Sequence, residues 1–381
     1  MSVKRAARKI AVLNLWLTKY NIMLQQSFML IMLLAVVPAS ASVTTQIPLV
    51  KGMVVVTAVQ KPNGDEEQIA TISDTTPAYV EYSVDFRSVV NNKQISVVRM
   101  RRVRREDLAS SNKQNIVFQA GDAVMFPGSS MGLSKQSFTQ LKTTGKVALV
   151  IGTIARYGEL EYMPAMLDVA SGRKYFRGTL ARVGTTTVPI TVKINGKPVV
   201  IQTIHAKGVF TVAGDSVDIE TWFTDNADHP IGLRNRQGRS VFQTIRIDYP
   251  AAQPQVSVLQ QALASGACRA ELNGIYFDFG KATLLPQSSS ALNAVADLMK
   301  KNPGWNLRVE GHTDNIGTAN YNLDLSKRRA AAVTAALTTQ YKLQATRLNA
   351  NGFGATKPVA KNDTMAGRAA NRRVELARTC P

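Results

Sequence analysis

Hydrophobic and polar positions alternate through much of the first two thirds of the chain, and the period lengthens near residue 268. In residues 79–86, Val80, Tyr82, Val84 and Phe86 share one face while Glu81, Ser83 and Asp85 share the other, the period-two pattern of a half-buried strand. Two β-branched runs within 188–204 flank Asn195 and Gly196. That pair tolerates the positive φ angles of a type I′ turn, so the stretch predicts a hairpin. Residues 53–59, 146–154, 209–223 and 241–249 add further candidate strands. Beyond 268, residues 288–301 place Leu292, Val295, Ala296 and Met299 on one helical face before Asn302, Pro303 and Gly304 stop the helix. A longer helix is predicted over 322–338, with Leu325, Val333, Ala336 and Leu337 inward. Short strands at 275–279, 307–311, 347–352 and 373–377 and a helical turn at 367–371 complete this part. The predicted fold class is α+β, a β-rich amino-terminal domain followed by an α/β sandwich of helices layered on one sheet.

Residues 250–255, PAAQPQ, interrupt both periods and mark a linker over 250–267, with a short helix expected at 256–264. The β-rich domain then occupies 42–249 and the layered unit 268–381. The first 41 residues read as a signal peptide. Lys4, Arg5, Arg8, Lys9 and Lys19 occur with no acid, an apolar run follows from Phe28 to Val37, and Ala39, Ser40 and Ala41 supply a small-residue cleavage site. An uncleaved anchor is the alternative, but Gln25 and Gln26 interrupt the apolar stretch and leave it short of the ~20 residues a spanning helix needs. Export to the periplasm is therefore expected, in association with the outer membrane and cell wall.

Charge and cysteine content sharpen that picture. The net charge is +20, and removing the five leader cations leaves +15, which favours anionic envelope partners. Nucleic acid is an unexpected partner for an exported chain, whereas the outer membrane or other envelope proteins are compatible ones. Arg99, Arg101, Arg102, Arg104 and Arg105 fall on both faces of an extended stretch, which suggests a solvated edge. The same arginines, the scattered aromatics and the lack of a regular repeat favour a soluble β domain over an outer-membrane barrel. Cys268 and Cys380 are the two cysteines and bracket the last domain, so they either pair or stay as separate thiols. His205 and His229 stand alone without metal-ligand spacing, and neither a metal nor a cofactor is expected.

Four segments of the last domain carry a shared pattern: IYFDFGKATLLP at 275–286, GHTDNIGTANYNLDLSKRRAAAV at 311–333, NGFGATKP at 351–358 and GRAANRRVEL at 367–376. In this order they resemble the OmpA-like peptidoglycan-binding family, over about 30% of the chain. The resemblance implies non-covalent binding of the peptidoglycan stem peptide through meso-diaminopimelate, whose free end carries an ammonium beside a carboxylate. Asp314 matches the ammonium-binding aspartate of the family and Arg329 the arginine that takes the carboxylate, a task suited to a planar guanidinium. Thr313, Asn322, Leu325 and Ser326 match positions lining the pocket, Phe277, Asp278 and Phe279 match a loop approaching the ligand, and Arg373 is a candidate second cation. Asn322 also reads as a helix cap and Asp278 as a turn former.

A hydrolase acting on the same polymer would need a carboxylate pair, and Asp278, Glu310 and Asp314 are available. No complete nucleophile or acid/base constellation accompanies them, so no catalytic residue is assigned. A further alternative is a wall-tethered protein whose β-rich domain has its own envelope-binding or membrane role. The sequence leaves that role and the oligomeric state open.

Overall fold

The computed structural model describes residues 42–379 except 45, 63, 91–92, 116–123, 126–127, 155–172, 213–214, 251–253 and 279. The expected signal peptide and Cys380 therefore lie outside the described residues. In the β-rich part the chain forms β1 (Ser42–Thr44), β2 (Val54–Lys61), β3 (Gly64–Thr75), β4 (Tyr79–Val90) and β5 (Lys93–Arg104). A short helix α1 (Arg105–Ser110) leads to β6 (Lys113–Asn115) and β7 (Val124–Met125), and α2 (Lys135–Thr144) leads to β8 (Lys146–Ile154) and β9 (Arg173–Arg182). The remaining strands are β10 (Val188–Ile194), β11 (Lys197–Val212), β12 (Asp215–Thr224), β13 (Gly232–Gln237) and β14 (Ser240–Asp248). They hydrogen-bond in the order β6-β8-β9-β11-β12-β13-β14-β2-β3-β4-β5-β7, with β10 also on β11 and β14.

The expected hairpin is present. Asn195 and Gly196 both adopt positive φ, 47° and 79°, and β10 and β11 pair in register from Val188↔Thr203 to Ile194↔Lys197. The stretch read as one strand over 209–223 is instead the end of β11 and most of β12, paired antiparallel. Two apolar clusters lie within this part. One gathers Val55, Val80, Tyr82, Val103, Val192 and Ile201, and the other gathers Phe138, Leu149, Phe176, Phe210 and Phe223.

The arginine-rich stretch corrects the solvated-edge expectation. Strand β5 pairs with β4 along its whole length, and Arg101 is 0% exposed on the same face as Val103. Burial pushes the Arg101 guanidinium down, while Tyr82 and Asp107 partly offset the effect. Arg102 and Arg104, on the other face, pair with Glu81 and Asp107 at 2.7 Å each.

In the carboxy-terminal part, α3 (Pro254–Ala264) occupies much of the stretch read as linker. Its Leu259 and Leu263 are buried in the same core as the last domain. Then follow β15 (Arg269–Glu271), α4 (Ser289–Lys301), β16 (Leu307–Gly311), α5 (Ala319–Thr339), β17 (Leu348–Gly352), α6 (Met365–Asn371) and β18 (Val374–Arg378). The sheet runs β15-β18-β16-β17, with β16 and β17 parallel and the other neighbours antiparallel. The strand expected at 275–279 is reduced to one bridge, Phe277↔Leu284, and Tyr276 instead packs against the β-rich half. Helix α5 starts at an N-cap, Thr318, whose hydroxyl accepts from the Tyr321 amide. It presses on β16 so closely that a Cβ on Gly311 would lie 2.2 Å from the Ser326 carbonyl oxygen.

The described residues from 43 onward belong to one compact unit. Val54, Val56, Ile69 and Tyr276 bury one another, with Ile245 and Leu285 at the margin. Strand β2 is therefore covered on both faces, which accounts for the unalternating Val54, Val55, Val56 run. Tyr276 donates its hydroxyl hydrogen to Asp248, and Lys193 Nζ lies 3.0 Å from Glu271. Gly196 also lets Asn273 approach, since a Cβ there would be 2.0 Å from Asn273 Nδ2. No described helix is long and apolar enough to cross a membrane.

Candidate functional site

A cavity of about 510 Å³ opens where these two halves meet. That size is in the range of small-ligand sites. Its carboxy-terminal wall includes Phe277, Thr313, Asp314, Asn322, Leu325, Arg329 and Arg372, and its other wall includes Glu67 and Arg87.

Asp314 sits in the loop between β16 and α5, only 7% exposed. Its Oδ1 accepts from the Ile316 amide at 3.0 Å and its Oδ2 from Arg372 Nη1 at 2.6 Å. Asn322 fixes the loop, donating from Nδ2 to the Asp314 carbonyl at 3.3 Å and the Ile316 carbonyl at 2.9 Å. Thr313 donates its hydroxyl hydrogen to the Asp314 carbonyl at 2.9 Å. These bonds hold the carboxylate in one orientation, with Arg372 on one oxygen and the Ile316 amide on the other.

Arg329 rises from α5 on the same cavity. Its guanidinium lies 5.0 Å from the centre of the Phe277 ring, and its Nε donates to the Lys281 carbonyl at 3.1 Å. Among the described residues no carboxylate is ion-paired with it. Burial pushes the guanidinium down to about 10, the Glu67 charge opposing that and the Arg372 charge adding to it. A half-buried guanidinium on a cavity wall carries a desolvation cost that an anionic neighbour would relieve.

The other expected residues divide. Leu325 lines the cavity. Asp278 is half-buried and accepts from Lys281 Nζ at 2.6 Å, and Phe279 lies outside the described residues. Ser326 is turned away from the cavity: its Oγ accepts from the Gly354 amide and donates to the Leu323 carbonyl, each at 2.8 Å. Arg373 is also displaced from the expected role. It pairs with Glu375 at 2.6 Å and donates to the Lys357 carbonyl at 3.2 Å. Its neighbour Arg372 holds the place at the cavity. The NRRV motif offered two adjacent arginines, and only the end of α6 decides which one turns inward.

Behind the cavity, ligand atoms of Glu310, His312 and Glu375 lie within 4.8 Å of one another. Arg269 pairs with both acids, Arg308 with Glu310 and Arg373 with Glu375. Three guanidiniums against two carboxylates leave excess positive charge, which repels a metal cation. Burial pushes His312 down to about 4, with Arg373 adding to the effect, so its ring is neutral near pH 7.

The cavity thus brings together an ion-paired carboxylate, Asp314, a half-buried guanidinium, Arg329, and the apolar Phe277 and Leu325. The OmpA family matches residues 276–372, so the carboxy-terminal third is an OmpA-family domain. Outer membrane porin F of Pseudomonas aeruginosa is 46% identical over 101 residues, covering 26% of this chain and 29% of that protein. The probable lipoprotein YiaD of Escherichia coli is 40% identical over 104 residues, covering 27% of this chain and 47% of that protein. The chain thus spans less than half the length of these relatives. The crystal structure of a peptidoglycan-associated lipoprotein from Burkholderia pseudomallei is 30% identical and covers 32% of this chain and 99% of that one, with a TM-score of 0.27.

Proposed function

We propose that the carboxy-terminal domain binds peptidoglycan non-covalently through the diaminopimelate zwitterion, and so holds an exported envelope protein to the cell wall at the periplasmic side of the outer membrane. The observation that carries the reading is Arg329, a half-buried guanidinium lacking an ion partner among the described residues, on a cavity shared with Asp314. The ligand carboxylate meets Arg329 in a two-pronged hydrogen bond, and the ligand ammonium meets the anionic wall at Asp314. Leu325 and Phe277 pack against the aliphatic stem between the charges. The signal peptide and a Cys268–Cys380 disulfide belong to the same proposal, since both suit an exported domain.

Hydrolysis gains no support from the carboxylates. Burial would raise the Glu310 carboxyl, but Arg269 and Arg308 hold it below its ordinary range, and Asp314 is ion-paired with Arg372. Glu310 is therefore no proton donor near neutral pH, and a general acid is missing from the pair. The experiment is a pull-down of the mature protein on purified sacculi. Wild type is retained, and Asp314→Ala and Arg329→Ala are each largely lost to the supernatant. Undiminished retention of both variants overturns the site, and release of muropeptides by wild type overturns the non-catalytic reading.

A further inference from the structure

The cavity's second wall belongs to the β-rich half, and the charges across it count unevenly. Arg372 bridges the halves, its Nη1 on Asp314 Oδ2 at 2.6 Å and its Nη2 on Glu67 Oε1 at 2.8 Å. Glu67 is opposite Arg87 in the β3–β4 register, and Arg87 Nη1 is 3.6 Å from Glu67 Oε2. Arg87 in turn donates from Nε to Asp85 Oδ2 at 2.6 Å. The connected network therefore holds three carboxylates and two guanidiniums, one net negative charge. Asp314 with Arg372 alone is a neutral pair and a poor partner for an ammonium group.

We propose that Glu67 of the β-rich half completes the anionic side of the ligand site, acting through Arg372, so that the wall-binding pocket of this chain is built by both halves. Glu67 restores the negative charge that Arg372 takes from Asp314. It shares Arg372, so Asp314 keeps attraction to spare for an incoming ammonium. On the same cavity lies Arg329, ion-paired with no carboxylate among the described residues. The cavity's charges thus match a ligand with an ammonium and a carboxylate on one carbon, or a comparably short dipole. Burial would raise the Glu67 carboxyl, but the Arg372 and Arg87 guanidiniums more than offset that and keep it ionised. Other charges lining this wall are matched locally. Arg246 lies 2.9 Å from Asp248, Lys193 3.0 Å from Glu271 and Lys61 2.7 Å from Glu66.

This inference rests on the zwitterion reading, and its test separates the two. The mature chain is titrated calorimetrically with a tripeptide ending in meso-diaminopimelate, as wild type, Glu67→Gln, Arg372→Met, the Glu67→Gln/Arg372→Met double variant and Arg329→Ala. Glu67→Gln takes the network to zero charge and is expected to weaken binding about tenfold, through a weaker attraction of the network for the ammonium. Adding Arg372→Met returns the network to one negative charge and is expected to recover most of that loss. A merely structural role for Glu67 would make the double variant worse than either single one, and that result overturns the inference. Glu67→Gln binding within twofold of wild type, with Arg329→Ala impaired, also overturns it and leaves the zwitterion reading standing. Unchanged binding by Arg329→Ala removes the zwitterion reading itself.

Discussion

Replacing Arg329 by methionine separates a binding role from a structural one. Burial takes its guanidinium well below the ordinary arginine range, to about 10. That bounds the penalty on the charged form at about 3 kcal/mol, and solvent reaching the half-buried head group reduces it to ~1–2 kcal/mol. Methionine keeps most of the stem volume against Phe277 and removes that penalty, while forfeiting a cation–π contact worth ~0.5–1 kcal/mol. The expected stability change lies between about zero and a gain of ~1 kcal/mol, within roughly 2 °C of the wild-type midpoint on thermal melting followed by circular dichroism. Binding of the diaminopimelate tripeptide is expected to fall at least tenfold in the same preparation, because a charge-assisted pair is lost. A folded state weakened by more than ~2 kcal/mol refutes the reasoning, since Arg329 would then be an internal anchor whose loss is felt by the fold.

Three further outcomes test the frame around the site. Asn371 is 0% exposed and makes four side-chain hydrogen bonds, accepting from the Val359 and Ala360 amides and donating to the Ala360 carbonyl and Asn362. Asn371→Ala is expected to cost ~3 kcal/mol in denaturant unfolding and to weaken ligand binding by freeing the turn before Arg372. His312 stays neutral in the fold down to about pH 4, whereas the unfolded chain protonates its histidine near 6.5. Stability is therefore complete above about pH 6.5 and declines as pH falls toward 4, by up to ~3 kcal/mol, and His312→Asn flattens the upper part of that limb in pH-dependent melting. Reduction is expected to lower the melting midpoint and Cys380→Ser to reproduce it, a loop of about 110 residues allowing up to ~4.7 kcal/mol; a non-reducing peptide map without a Cys268–Cys380 link contradicts this.

Local chemistry made much of the fold legible in the sequence. The Asn195-Gly196 turn, the α4 and α5 faces and the β8 limits follow from positive φ tolerance and apolar period, properties each segment carries alone. The burial of Arg101 is not legible in this way: it lies opposite Tyr82 of β4 and interacts with Asp107 of α1, partners that sequence spacing does not align. At the candidate site the motif singles out Asp314 and Arg329, which share one cavity, but it cannot separate Arg372 from Arg373, because the end of α6 sets their directions. Glu67 carried no signal: it lies 305 positions from Arg372 and ordinary strand alternation surrounds it. A hint of the docking itself was present in the Val54–Val56 run, whose missing alternation calls for cover on both faces.

The central claim is recognition of a zwitterion, and ligand discrimination tests it most directly. Two tripeptides identical except for their last residue, meso-diaminopimelate or lysine, differ by one carboxylate beside the terminal ammonium. Calorimetric titration of the mature protein is expected to show the diaminopimelate peptide binding ten- to a hundredfold more tightly, the worth of a carboxylate on Arg329, with the preference lost in Arg329→Met. Equal affinity of wild type for the two peptides would contradict the account.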